Sequence, residues 1–201
     1  MEDKMRSALQ VSKLNIERQV STEVLVQSVR NGDAWAMETL YLQYVDKITG
    51  IAGKLLRNSA DVEDAVQDTF VHAFRDIAKL RETAYLERWL VQIVVHRAQY
   101  QFRIRQIKRR FGLDRSFDDE RLCDQIGAPS TQEACAELAL LDAAFDKMKV
   151  KDRTCFVLRY LEGYGLEETA AAVQSSLATV KRRLTRAKKI VERHVGGGRR
   201  G

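Results

Sequence analysis

Leu166-Glu167-Glu168-Thr169-Ala170-Ala171-Ala172-Val173-Gln174-Ser175-Ser176-Leu177-Ala178-Thr179-Val180-Lys181-Arg182-Arg183-Leu184-Thr185-Arg186-Ala187-Lys188-Lys189 reads as helix, tight turn, helix. Small residues at Ala170 and Ala171 let the first helix approach the second, and Ser176 is placed to cap the second. Val173, Leu177, Val180 and Leu184 recur at helical spacing and form the expected buried seam. With that seam inward, Thr179, Lys181, Arg182, Thr185 and Arg186 point outward. They offer hydroxyl, ammonium and guanidinium donors of the kind that meet phosphates and base edges; a merely solvated basic helix has the same pattern.

Working outward, the same alphabet continues. Leu138, Leu141, Ala144, Phe145 and Met148, then Cys155, Phe156, Leu158 and Tyr160, make a small helical bundle beginning near Glu133. Residues 111–132 lose the periodicity, hold Gly112, Gly127 and Pro129, and read as a linker. Upstream, Ser21 or Thr22 caps a short helix that stops at Asn31-Gly32, and Asp33 caps a long amphipathic one running to Leu56. Asp61 begins a third helix, with Val62, Ala65, Val66, Phe70 and Ala73 on one face and Glu63, Asp64, Gln67 and Asp68 on the other. A fourth, from about Tyr85 to Arg110, is apolar through Leu86, Trp89, Leu90, Ile93 and Val94, then increasingly basic. With one proline in 201 residues, the chain is expected to be all-α: two small helical domains joined by a flexible acidic linker. The expected bounds are 1–20 (extension), 21–110 (first domain), 111–132 (linker), 133–195 (second domain) and 196–201, a glycine-rich tail expected to be disordered.

The net charge of +6 makes a polyanionic partner plausible, and its distribution sharpens the point. Residues 101–110 and 181–193 are basic. Residues 114–146 between them carry nine acidic side chains against Arg115 and Arg121 and would be repelled by DNA. Cys123, Cys135 and Cys155 show no Cys-x-x-Cys spacing and are read as reduced thiols; no metal and no cofactor is expected. The histidines are His72, His96 and His194, with no glycine-rich phosphate loop or nucleophile motif, so catalysis is not expected. No apolar run has the length of a membrane span, and a cytoplasmic protein without membrane insertion is the expectation.

Val157-Leu158-Arg159-Tyr160-Leu161-Glu162-Gly163 and Thr179-Val180-Lys181-Arg182-Arg183-Leu184-Thr185-Arg186-Ala187 resemble the promoter −35 domain of extracytoplasmic-function (ECF) sigma factors. Gly32-Asp33-Ala34 with Leu40-Tyr41, and Asp61-Val62-Glu63-Asp64-Ala65-Val66-Gln67-Asp68-Thr69-Phe70, resemble the first conserved stretches of the same family. The resemblance implies a factor that binds RNA polymerase core and directs promoter-specific initiation. Asp64, Gln67 and Asp68 would dock on the β′ coiled coil, and the second domain on the β flap. Lys79, Leu80 and Arg81, with His96, Tyr100 and Arg103 on the fourth helix, would hold the −10 element. Ser176, Thr179, Lys181, Arg182, Thr185 and Arg186 would read the −35 element. An anti-sigma factor is an implied further partner.

The chain departs from the family pattern at His96 (usually Asn), Tyr100 (usually Asp), Met148-Lys149 (usually Leu-Pro), Gln174 (usually Gly) and Arg182 (often Ser). Gln174 falls at a left-handed turn position, where a side chain costs about 1 kcal/mol. The alternative reading is a homodimeric helix-turn-helix regulator, which accounts for residues 150–190 and leaves the acidic-amide face of the third helix unexplained.

Overall fold

A computed structural model of the chain describes residues 21–56, 58–111 and 132–195. The expected extension, most of the linker and the expected tail lie outside those residues. All regular structure among the described residues is helical: α1 (Thr22–Arg30), α2 (Ala34–Leu55), α3 (Ser59–Asp76), α4 (Leu86–Arg110), α5 (Gln132–Asp146), α6 (Val150–Phe156), α7 (Leu166–Ala172) and α8 (Leu177–Val195).

The helix starts follow the side chains available to accept orphan amides. Ser21 Oγ accepts from Val24 N at 3.4 Å, and Asp33 Oδ1 from Trp35 N at 2.9 Å. The third helix begins two residues earlier than its acidic face suggests, because Asn58 Oδ1 takes the amide of Asp61 at 3.1 Å. Gly32, at φ +80°, turns the chain out of α1. The helix that begins with α6 widens into a π turn over Val157–Leu161 and ends at Gly163, φ +76°.

In the first half, α2, α3 and α4 pack together with α1 across one end. Leu40, Ile48, Ile51, Ala65, Leu90 and Val94 are fully buried there, each large aliphatic contributing about 1.5–3 kcal/mol. Tyr41 stands edge-on to Phe70 with centroids 4.7 Å apart. In the second half, α8 lies against α5, α6 and α7 around Phe145, Leu158, Val180 and Ala187. Phe145 and Phe156 meet edge-to-face at 5.8 Å.

The halves are packed against each other, α4 on α7 and α6 and α2 on the π turn. Arg153, 6 % exposed, donates from Nε and Nη2 to the carbonyl of Lys54 at 3.1 and 2.7 Å. That carbonyl lies in the last turn of α2, where carbonyls lack intrahelical donors and a cation is favoured. Gln92 Nε2 likewise donates at 2.8 Å to the carbonyl of Ala171 near the end of α7. Lys54 Nζ pairs with Glu162 at 2.8 Å, Arg88 pairs with Glu168, and the Tyr164 hydroxyl donates to Glu87 at 3.2 Å. No helix among the described residues is long and apolar enough to cross a membrane.

Candidate nucleic-acid interface

The α7-turn-α8 unit is built much as its pattern requires. Glu168 closes a box on the Gly165 amide at 2.7 Å, and that bond holds its carboxyl below the usual range. Gln174 takes φ 46° in the turn, the left-handed position that glycine would occupy without strain. Ser176 Oγ accepts from Thr179 N at 3.3 Å and starts α8.

Two side chains of this unit sit differently from the seam expected of them. Ala170 and Ala172 are the buried small residues, whereas Ala171 faces out toward α4. Leu177 is 38 % exposed because the first residue of α8 overhangs the turn; Val173, Val180, Leu184 and Ala187 make the actual seam.

Lys181, Arg182, Thr185 and Arg186 are exposed on α8, with Thr179 half-buried beside them. Thr179 Oγ1 accepts from Arg182 Nη2 at 3.3 Å, and Thr185 Oγ1 bonds back to the Lys181 carbonyl at 3.0 Å. Arg186 is outward yet engaged: its Nε and Nη2 grip Asp152 at 2.9 and 2.7 Å. The Asp152 side chain is only 4 % exposed, so the pair fixes where that guanidinium points.

In the first half, His96, Tyr100 and Arg103 are all exposed at i, i+4 and i+7 on one face of α4. Partial burial, then the neighbouring Arg97, holds the His96 imidazole below its usual range. Trp89 and Gln92 continue this stripe toward the start of α4, where α7 lies over it. A cleft of about 390 Å³ there is walled by Tyr85, Trp89 and Gln92 on one side and by Tyr164, Glu167 and Ala171 on the other. Trp89 packs half-buried against the core.

The loop after α3 borders a second cleft, about 640 Å³, shared by Arg81, Glu82, Thr83 and Ala84 with Gln27 and Arg30 of α1. Arg81 and Lys79 are exposed, Lys79 pairing with Asp76 at 3.1 Å. Leu80 turns inward, 6 % exposed, with its carbonyl held by Arg30, and borders the cleft between α4 and α7 instead of this one. On α3, Asp64 and Gln67 are exposed and Asp68 is half-buried, all on one face.

Residue periodicity did not bring out Lys54, Gln92, Arg153, Glu162 and Tyr164, the side chains that join the halves. The one sequence signal was Asp152-Arg153 between Val150 and Cys155-Phe156, two opposite charges in a short helix with apolar residues at both ends.

Two regional models of one family match the chain in order: Sigma-70 region 2 over residues 40–108 and Sigma-70, region 4 over residues 138–191. The chain is 26 % identical over 187 residues to the ECF RNA polymerase sigma-E factor of Escherichia coli K12, covering 90 % of this chain and 97 % of that one. It is 26 % identical over 186 residues to the factor of the same name in Haemophilus influenzae, covering 88 % and 96 %. Its fold is similar to that of CnrH, solved with the cytosolic domain of CnrY (TM-score 0.61, 20 % identity, 87 % of this chain and 96 % of that one). It is also similar to that of the sigma factor RpoE of Bartonella quintana, solved with the anti-sigma factor NepR (TM-score 0.60, 21 % identity, 79 % and 96 %).

Proposed function

The chain belongs to the sigma-70 family and is a sigma factor of the ECF type, and from that premise we propose how its surfaces divide the work. The first half docks on the polymerase β′ coiled coil through Asp64, Gln67 and Asp68. It holds the melted −10 strand between the Lys79–Arg81 loop and the His96, Tyr100 and Arg103 face of α4, aromatic rings stacking on bases and cations tracking phosphates. The second half sits at the β flap and enters the −35 major groove with α8. Ser176 at its start and Lys181 and Arg186 along it meet phosphates, while Thr179, Arg182 and Thr185 face base edges. The chain has no catalysis of its own in this reading, works in the cytoplasm, and is held in check by a partner of the anti-sigma kind.

The observation that carries the reading is the pair of cationic faces, on α4 and on α8, in a chain whose two regional matches fall on those same segments. Their spacing supports dependence on polymerase. Elements centred at −35 and −10 lie 25 base pairs apart, roughly 85 Å at 3.4 Å per step. A compact chain of this length has a radius of gyration of roughly 17 Å. Promoter binding therefore requires the halves to part, and polymerase supplies the second set of contacts that holds them apart.

In vitro transcription with purified core polymerase on a promoter library tests this. Promoter-specific transcripts should require the protein, and K181A/R182A should remove dependence on the −35 sequence. The same transcripts from core alone, or tight binding of a polymerase-free homodimer to a palindromic site, would overturn it in favour of the homodimeric regulator.

A further inference from the structure

We propose that the cleft where the two halves meet binds a small polyphosphorylated anion, a ligand of nucleotide size with two or three linked phosphates, and that its occupancy locks the halves together. The cleft, about 530 Å³, lies between α4, the turn joining α5 to α6, and α8. Six cations line it: Arg103 from the first half, and Lys147, Lys149, Lys151, Arg183 and Arg186 from the second. Asp152 is the one carboxylate in the wall among the described residues, and Arg186 occupies both of its oxygens. No carboxylate among the described residues pairs with Arg103, Lys147, Lys149 or Lys151.

Like charges brought to one cleft repel, and closing the halves adds Arg103 to that cluster. A multivalent anion removes the repulsion. Its phosphates would receive forked hydrogen bonds from the guanidinium groups and point-charge contacts from the ammonium groups. Arg183 is already held by Ser175 Oγ at 3.1 Å, which lowers the cost of ordering it around a ligand. Phe102 and Met148 give the cleft an apolar floor, and Gln99 offers an amide beside it. Convergent polar groups over an apolar floor in this volume suit a small molecule; a duplex cannot enter.

Arg103 belongs to one half and Arg183 to the other, so a ligand touching both binds only the closed arrangement. Mass action then raises the closed-to-open ratio by 1 + [L]/Kd, about elevenfold at ten times Kd. Under the function proposed above, this withdraws Arg103 from the −10 strand and the base of α8 from the −35 groove. That consequence rests on the functional reading; the binding does not.

The test uses the full-length protein and inorganic tripolyphosphate at constant ionic strength, followed by isothermal titration calorimetry, with sulfate as control and ATP and GTP as further ligands. Saturable one-to-one binding is expected, and K149E/K151E should weaken it at least tenfold. Lys149 and Lys151 are exposed and are not among the residues assigned above to the promoter or to the β′ coiled coil, so this variant should keep its circular dichroism spectrum and its core-dependent transcription. Tighter binding of ATP or GTP than of tripolyphosphate would place a base in the cleft; equal binding would leave the phosphates as the whole recognised group. Sulfate binding as tightly, or an unchanged affinity in K149E/K151E, would overturn the site. Tripolyphosphate that binds without weakening polymerase-free promoter binding would overturn the lock. Failure of transcription with intact tripolyphosphate binding would sink the functional reading and leave the site standing.

Discussion

Exchanging the charges of Lys54 and Glu162 should report directly on the contact between the halves. The two groups meet at 2.8 Å, with side chains 21 % and 13 % exposed, too sheltered to behave as a surface pair of 0–1 kcal/mol. A hydrogen bond between charged groups in such a place contributes about 1.5–3 kcal/mol. K54E removes it, sets a carboxylate against Glu162, and places negative charge in the last turn of α2, where the helix dipole adds about 0.3–1 kcal/mol of cost. The single variants should each lose about 2–4 kcal/mol in urea denaturation. K54E/E162K should recover all but the dipole part, leaving a coupling energy of about 3–8 kcal/mol. Coupling below about 0.5 kcal/mol, the size expected of independent sites, would show that the halves are not packed this way in solution. The same destabilisation should favour the open form, so K54E should bind promoter fragments without polymerase at least tenfold more tightly than the parent, since about 1.4 kcal/mol is tenfold.

Three further outcomes follow from single features. Gln174→Gly should raise stability by up to about 1 kcal/mol, seen as a higher Tm, because φ 46° strains a side chain. Replacing Lys181 with Ala should reduce the slope of log binding constant against log salt by about 1, uniformly across promoter sequences, as loss of one phosphate contact requires. The imidazole of His96 is held below its usual value by burial and Arg97, so between that folded value and about 6.5 the unfolded chain binds the extra proton. Its contribution is full above pH 6.5 and is lost as pH falls through the folded value; His96→Gln should flatten the decline of Tm between pH 7 and 5.

The helices were legible because apolar residues recur at 3.6-residue spacing without a proline to interrupt them; Pro129 lies outside the described residues. The outward faces of α3 and α8 followed from the same periodicity, which is why Asp64, Gln67, Lys181 and Arg182 stand where their spacing puts them. Periodicity describes one helix at a time, and it failed where a second helix decides. Ala171 looks like a seam residue by spacing, but it is exposed and lines the cleft that α4 shares with α7. Arg186 looks like an unencumbered reader, yet Asp152 reaches it from α6. Leu80 sits in a polar loop and still turns into the core, because Arg30 fixes its carbonyl from the other side.

The buried apolar side chains form one cluster through both halves, with Phe70 in the first and Phe145 and Phe156 in the second, and polar contacts are laid over it where the halves meet. Across the seam, the well-defined contacts are hydrogen bonds and ion pairs: Arg153 to the Lys54 carbonyl, Gln92 to the Ala171 carbonyl, and Lys54 to Glu162. Two of the acceptors are helix-terminal carbonyls, which water can satisfy as well as a side chain can. Such bonds exchange with solvent at a net cost of about 0.5–1.5 kcal/mol each, whereas splitting a packed core exposes apolar area with nothing to replace it. A chain that must close when free and span two promoter elements when bound needs halves that are individually stable and a junction that polymerase contacts can outbid. Polar bonds to helix ends supply the exchangeable part of that junction, and the cations that line the cleft beside it make the balance sensitive to anions.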